Sequence, residues 1–519
     1  MSEYHYVSLQ YSAIQKTVLR HERLWSIAGI SNILSSMNEI EMPAIAKRHG
    51  GETIVAGGGK FTARFEDEGQ ARSARQECMD LVAETLPMLE FQVSKIYKAD
   101  SFQSLKDNED YNIVIAELGE KKRRFRGYGV SFNPHLALCE ECGEYPVQDR
   151  LHRGEEKTPV CRICKAAFEE SRSIYNEKEA TTTLQKVYHA YMREVPDASG
   201  KEPPADFNDL FPEEKESEKS TDEKRKRMAV WFSDLNNMND KVPVWLNQPD
   251  EEAVLGTFDE FRKTVVEIIA LALAKTFPKP IGEHLPFRLV VAGGDDLCLV
   301  MAERDILTFC ANISRTLNEK KSELPDSHPL SDAWLLKNGN FEGKSPKPFG
   351  FGGSFVVTSI HTPFSQIHRL GEDLMGEAKR HTGREGNSVT WRIMAEEESV
   401  TENLLEFERP IFIEEHGNGK NSLDSLTFND YLKLLNKYRK KISGSHLQQI
   451  IALMHQVENP WEFERRLKLL DAGEADKSFS SLLKDENESF RDAHGMLLPG
   501  RIATLFELMS ISGGDNYEK

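Results

Sequence analysis

Val290-Val291-Ala292-Gly293-Gly294-Asp295-Asp296-Leu297-Cys298-Leu299-Val300-Met301 is the stretch whose reading decides the fold. Two β-prone apolar runs enclose a pair of glycines and a pair of aspartates, a pattern that predicts two strands joined by a tight hairpin. Glycines before the aspartates let a large anionic ligand approach the backbone. Outward from this hairpin, the sequence predicts a helix from about Glu251 to Thr276 before it and a helix from about Arg304 to Glu319 after it. Met228–Phe232 reads as an earlier strand. The strand Ser354–Ser359, the helix Phe364–Arg380 and the strand Val389–Met394 are expected later.

The same pattern occurs once before. Ile54-Val55-Ala56-Gly57-Gly58-Gly59-Lys60-Phe61 lines up with Val290-Val291-Ala292-Gly293-Gly294-Asp295-Asp296-Leu297. A strand at Tyr6–Tyr11, a helix from about Ala13 to Met37, a helix from about Glu68 to Met88 and a strand at Phe91–Ser94 surround it. Each copy follows a β-α-β-hairpin-α-β order, which suits an antiparallel sheet with helices on one face. The expected fold class is therefore α+β, with two sheet domains of one type. Their expected bounds are 1–134 and 228–420. A cysteine module with a helix lies between them at 135–195, followed by a flexible charged linker at 196–227, rich in Pro, Glu, Lys and Ser. A helical domain occupies 421–519, where Thr427-x-x-Asp430 resembles a capping box and Tyr431, Leu434, Leu435, Tyr438 and Ile442 mark one helix face. Leu447, Ile450, Ile451 and Met454 mark another.

Composition narrows the function. The 519 residues carry a formal net charge of −18, which argues against holding bare nucleic acid through a general positive field. The most lipid-like run, Thr264–Ala274, is interrupted by Glu267 and falls short of the ~20 apolar residues that a spanning helix needs. The opening residues lack the basic-then-apolar pattern of a secretory signal, so a cytoplasmic protein with no membrane partner is expected. Gly339–Ser345 is one residue short of a phosphate-binding loop, and Pro346 and Pro348 follow where the helix should start.

Four of the seven cysteines form two pairs, Cys139-x-x-Cys142 and Cys161-x-x-Cys164, separated by 18 residues. Two such knuckles fit a closed, tetrahedral Zn²⁺ site of structural type. Cys78, Cys298 and Cys310 are expected in the core.

The two sheet copies differ where chemistry would sit. The second hairpin has Asp295 and Asp296 where the first has Gly59 and Lys60. Asp234, just after the strand Met228–Phe232, is placed to face them if first strand and hairpin are neighbours. Clustered carboxylates repel unless a cation lies between them, and Mg²⁺ (or Mn²⁺) is the usual answer where phosphate oxygens complete the shell. Two such ions would activate an attacking hydroxyl and stabilise a departing pyrophosphate. Lys379 near the end of a helix is a candidate phosphate contact; a solvated helix-end cation is the alternative.

These features in this order resemble the large polymerase/cyclase subunit of type III CRISPR effector complexes. The resemblance rests on Gly293-Gly294-Asp295-Asp296, Asp234, the four cysteines, the helical tail, the N-terminal run Ile14 to Leu34, and Ser354–Val357 followed by a helix ending in Ala378-Lys379. It implies two ferredoxin-like palm domains of the kind shared with GGDEF cyclases, the first degenerate and the second catalytic. It implies synthesis of cyclic oligoadenylate from ATP as substrate, switched on by target RNA. Asp234, Asp295 and Asp296 would hold Mg²⁺, Gly293 and Gly294 would admit the nucleotide, Lys379 would contact phosphate, and Gly57, Gly58 and Gly59 would help seat a second nucleotide. The implied partners are guide RNA, target RNA and the other effector subunits: the repeat-associated backbone, the small helical subunit and the subunit capping the guide 5′ end. Many members begin with a histidine-aspartate nuclease domain; no such dipeptide occurs here, so no DNA cleavage is expected. Leu235-Asn236-Asn237 departs from the pattern where a second acidic residue is common. A non-catalytic scaffold, a cyclase that joins ATP to S-adenosylmethionine, and a diguanylate cyclase are the competing readings.

Overall fold

The computed structural model describes residues 3–100, 137–211, 226–339, 346–394, 411–414, 426–438 and 499–511, less 13, 19, 20, 22, 154, 155, 174–179, 249 and 348, with a few isolated residues elsewhere. Expectations that fall on Ile442, Leu447, Ile450, Ile451, Met454 and 340–345 lie outside the described residues.

The first sheet is built from β1 (Tyr4–Ser12), β2 (Glu52–Gly57), β3 (Lys60–Phe65) and β4 (Glu90–Val93), in the order β2-β3-β1-β4, with β5 (Tyr97–Ala99) also pairing β1. A small hairpin, β6 (Asp149–Arg153) and β7 (Glu156–Val160), leads into the helix Arg162–Ser173. The second sheet has β8 (Arg227–Leu235), β9 (Phe287–Gly293), β10 (Asp296–Ala302), β11 (Phe351–Ser359), β12 (Ser388–Ile393) and β13 (Ile411–Phe412), in the order β13-β12-β11-β8-β10-β9. Its first four strands repeat the order of the first sheet: in each copy, hairpin strands two and three lie outside strand one, and strand four lies on its other side. This is the β-α-β-β-α-β arrangement read from sequence. The helix Phe364–His381 then crosses over to place β12 parallel to β11.

Three expectations are corrected. Helices cover both faces of the second sheet, not one. Along β8, Ala229 and Trp231 pack with the helices Glu251–Thr276 and Ile306–Glu323, while Met228, Val230 and Phe232 pack with Phe364–His381 and with Leu24–Ser36 of the first unit. An uninterrupted apolar run, Met228–Phe232, is what a strand buried on both faces requires. Second, the helix expected from Ala13 to Met37 is broken near Arg23, whose backbone is extended, and continues to Arg48. A π-helical turn at Met37–Glu41, in which Met42 N–H reaches back to Met37 O, precedes Pro43 at the start of the last segment, where its missing N–H costs little. Third, the part of the linker at 196–211 is docked. Leu210 is fully buried, Leu285 N donates to Glu202 O at 2.9 Å, and the buried Arg288 guanidinium donates to Pro204 O at 3.1 Å. Its prolines pin a chain path rather than free it. Residues 212–225 lie outside the described residues.

Thr427 and Asp430 do form a reciprocal cap: Asp430 N donates to Thr427 Oγ1 at 3.2 Å and Thr427 N to Asp430 Oδ2 at 3.1 Å. Tyr431, Leu434, Leu435 and Tyr438 of the helix Phe428–Tyr438 are buried together, and Cys78, Cys298 and Cys310 are each buried in the cores. Among the described residues no helix is long and apolar enough to cross a membrane.

Candidate active site

Asp234 is the penultimate residue of β8 and Asp296 begins β10, and antiparallel register sets them directly opposite each other. Asp295 occupies the two-residue turn with Gly294, which closes the hairpin between the paired Gly293 and Asp296. Gly294 has φ +62°, a left-handed conformation that glycine adopts without a Cβ penalty. Leu235 N donates to Asp295 O at 3.1 Å and ties the turn to the end of β8. One carboxylate oxygen from each of Asp234, Asp295 and Asp296 lies within 4.8 Å of the others. Asp296 is the most exposed of the three, with Asp234 and Asp295 half-buried.

Burial, then the Asp234 charge, raises the Asp295 carboxyl above the usual carboxylate range. Burial raises Asp296 further, with Asp295, Asp234 and Glu372 adding repulsion. Three carboxylates so placed favour a bound proton or a bound cation. The donor set is all oxygen, at spacings a hard divalent ion bridges, so Mg²⁺ or Mn²⁺ fits it.

Lys379 lies 7% exposed on the helix Phe364–His381, and its ammonium donates to the Asp234 carboxylate. It reaches Asp234 by lying across β11 at Gly352, where a Cβ would stand 2.3 Å from Lys379 Cγ. Glu372 is seven residues earlier on the same helix, and therefore on the same face. Sequence reading passed over both Gly352 and Glu372, although the seven-residue spacing from Lys379 was a usable signal for the glutamate. Asn236 and Asn237 do not replace a carboxylate. Asn236 Nδ2 donates to Gly386 O at 3.0 Å, and Asn237, with φ +61°, donates from Nδ2 to Arg384 O at 2.9 Å. They fasten the end of β8 to the loop after the Lys379 helix.

The first hairpin turns at Gly58 and Gly59, with φ +57° and +73°. It meets the second tip to tip: a Cβ on Gly294 would sit 4.0 Å from Gly58 Cα. Lys60 is near enough to draw the Asp295 carboxyl downward, and the Arg262 guanidinium carbon would be 3.9 Å from a Cβ on Gly57. The structure thus brings together Asp234, Asp295, Asp296, Lys379, Gly293 and Gly294, with Gly57, Gly58 and Gly59 facing them.

The four cysteines converge elsewhere. One Sγ from each of Cys139, Cys142, Cys161 and Cys164 lies within 4.8 Å of the others, and none is in a disulfide. Cys142 and Cys161 Sγ atoms are 3.9 Å apart. A tetrahedron with Zn–S of about 2.3 Å requires about 3.8 Å, so the thiols fit Zn²⁺. Hydrogen bonding within the cluster pulls the Cys139 thiol down and pushes Cys164 up, so the four cannot ionise together without a cation. His21, also unremarked in the sequence, stands with Nδ1 3.8 Å from Cys164 Sγ.

No protein-family model and no curated protein sequence matches the chain. Its fold and its facing hairpins define a class, the linked pair of β-α-β-β-α-β units with one acidic tip. Among solved structures it is similar to the apo Csm1-Csm4 cassette, with a TM-score of 0.50 and 13% identity over 99% of this chain and 70% of that one. The cassette in complex with pppApApA gives a TM-score of 0.51 and 13% identity over 98% and 69%. The Csm1-Csm4 subcomplex in the type III-A CRISPR-Csm interference complex gives 0.50 and 13% over 98% and 70%. The chain has the fold of the Csm1 large subunit.

Proposed function

We propose that the chain is the nucleotidyltransferase subunit of a type III CRISPR ribonucleoprotein, converting ATP to cyclic oligoadenylate when target RNA pairs with the guide. The observation that carries this reading is the convergence of Asp234, Asp295 and Asp296 at one hairpin tip that faces the glycine tip of its twin. Similarity to a cassette in complex with pppApApA supports it. That molecule is chemically three adenylates joined with one triphosphate retained, the product expected when three ATP combine and two pyrophosphates leave.

A divalent cation on the three aspartates supplies, when bound, neutralisation of the triphosphate and acidification of the attacking hydroxyl. The protein's own groups do the rest. Gly293 and Gly294 leave the backbone open to the donor triphosphate. Lys379, already held against Asp234, places a fixed positive charge beside it. The Gly57–Gly59 hairpin seats the acceptor, so that its hydroxyl meets the donor α-phosphorus, forming the new P–O bond as the bond to pyrophosphate breaks. The cysteine quartet carries a structural Zn²⁺, and the guide RNA, target RNA and sister subunits complete the particle.

The test is product analysis by mass spectrometry with the assembled, target-bound complex and ATP, GTP or ATP plus S-adenosylmethionine. Oligoadenylate and pyrophosphate from ATP alone, lost in Asp295→Ala with Asp296→Ala, are expected. Product unaffected by that double substitution, or none at all, would leave a scaffold.

A further inference from the structure

The cleft between the hairpins depends on how far apart the two tips are held, and the π turn at Met37–Glu41 touches the elements that set this distance. Asn38, in that turn, is 3% exposed. Its amide, in the orientation its neighbours require, accepts from Gly57 N at 3.0 Å and Gly59 N at 3.2 Å and donates to Lys60 O at 3.1 Å. The first hairpin is thus held from inside by one side chain, which leaves the Gly58 side of the tip toward Gly294. The next residue, Glu39, grips a different element: its carboxylate accepts from Thr183 N at 3.0 Å and from Thr183 Oγ1 at 3.1 Å, at the start of the helix Thr183–Glu194. On that helix the Tyr188 hydroxyl accepts from Leu289 N at 2.9 Å, and Leu289 lies in β9, the strand that runs into Gly293 and Gly294. A hydrogen-bonded path therefore joins one hairpin to the other through two adjacent residues. An α-helical turn has 3.6 residues; the extra residue of a π turn is what widens it locally, and such turns recur at functional sites.

We propose that this π turn fixes the spacing of the two hairpins, and that Asn38 is a positioning residue for the acceptor nucleotide. The inference rests on the cyclase reading above for its kinetic consequence but not for its structural one. Asn38→Leu removes all three hydrogen bonds at similar volume. Asn38→Asp keeps the two acceptor bonds and loses the donor.

In the full chain, hydrogen exchange at the Gly57 and Gly59 amides should speed up by about tenfold or more in Asn38→Leu and by less in Asn38→Asp. In the assembled, target-activated complex, Asn38→Leu should raise the ATP concentration for half-maximal synthesis by about tenfold, equivalent to about 1.4 kcal/mol. Maximal rate should stay within about twofold and Asn38→Asp should fall between. A merely structural side chain would lower the melting temperature without this KM-against-kcat split. Unchanged exchange at both amides overturns the inference whether or not the complex makes product. So does a loss confined to maximal rate. Should Asn38→Leu fail to fold, Asn38→Asp carries both measurements. Absence of product from the unaltered complex counts against the cyclase reading alone, and the exchange result then decides the inference.

Discussion

Gly352→Ala tests how Lys379 is held. The Gly352 backbone is outside the left-handed region, so alanine fits it without strain, and the whole effect comes from the added methyl. That methyl would stand 2.3 Å from Lys379 Cγ, 3.0 Å from Cε and 3.2 Å from Cδ. The lysine stem must move, and at 7% exposure it has little room to do so. Overpacking of this kind costs about 1–3 kcal/mol. A displaced ammonium also leaves Asp234; because the Asp234 side chain is 27% exposed, this adds about 1 kcal/mol rather than the ~3–5 kcal/mol of a fully buried pair. Together these amount to about 2–4 kcal/mol, or roughly 5–10 °C in melting temperature for a domain of this size. Under the proposed cyclase function, loss of the fixed Lys379 charge beside Asp234 should lower turnover by about 10²–10³. Calorimetry and pyrophosphate release measure the two effects. In a Lys379→Met background the flexible thioether yields to the methyl, so the two substitutions should be less than additive. Wild-type melting and turnover in Gly352→Ala, or full additivity with Lys379→Met, would refute the reasoning.

Asp295→Asn with Asp296→Asn should melt higher than the unaltered chain in chelator at pH 8, since it removes carboxylate repulsion, and should no longer gain stability from Mg²⁺ or Mn²⁺; lower melting in chelator contradicts this. Metal analysis should find one zinc per chain, and stripping it or substituting Cys161→Ser should release the cysteine module from the helix Leu24–Ser36, where Trp25 packs edge-on to Phe168 at 5.2 Å. Unchanged hydrogen exchange in that helix after zinc removal would contradict the fit. Glu303 is raised by burial to about 7 and Asp305, likewise by burial, to about 6. The folded chain keeps protons that the unfolded chain gives up near the ordinary carboxylate values, so stability falls as pH rises from about 5 to 7. Glu303→Gln should gain on the unaltered chain over that window, by an amount on the order of 3 kcal/mol, and denaturant titrations that show the gain toward acid instead would reverse the sign.

What the sequence disclosed follows from how locally each feature is encoded. The glycine hairpins at 57–60 and 293–296 were legible because turn chemistry and apolar flanks are adjacent in the chain, and the register of both copies places the aligned residues alike. The helix expected from about Glu251 to Thr276 is observed over that span, with Asp250 capping its start and Phe277-Pro278 following its end. The helix was expected to end at Met37, short of Arg48, because nothing local signals the π turn at Met37–Glu41. Asn236 and Asn237 were read as departures from an acidic pattern, whereas their partners, Gly386 and Arg384, lie almost 150 positions away. Gly352 was invisible for the same reason: it makes room for a side chain from another element.

The asymmetry of the twins follows from their apposition. Copies of one fold, placed so that Gly58 and Gly294 nearly touch, cannot both carry acidic tips at modest cost. Charges a few ångströms apart at an effective dielectric near 20 repel by about 4 kcal/mol per pair, and the three aspartates of one tip already hold two of their carboxyls above the ordinary range. The first copy has instead a lysine at position 60, which attracts Asp295, and two glycines whose backbone can approach a ligand. Loss of the carboxylates from the first hairpin therefore need not mark decay of an idle copy. It is the condition that lets two equivalent hairpins face each other, with three aspartates on one side and an open backbone on the other.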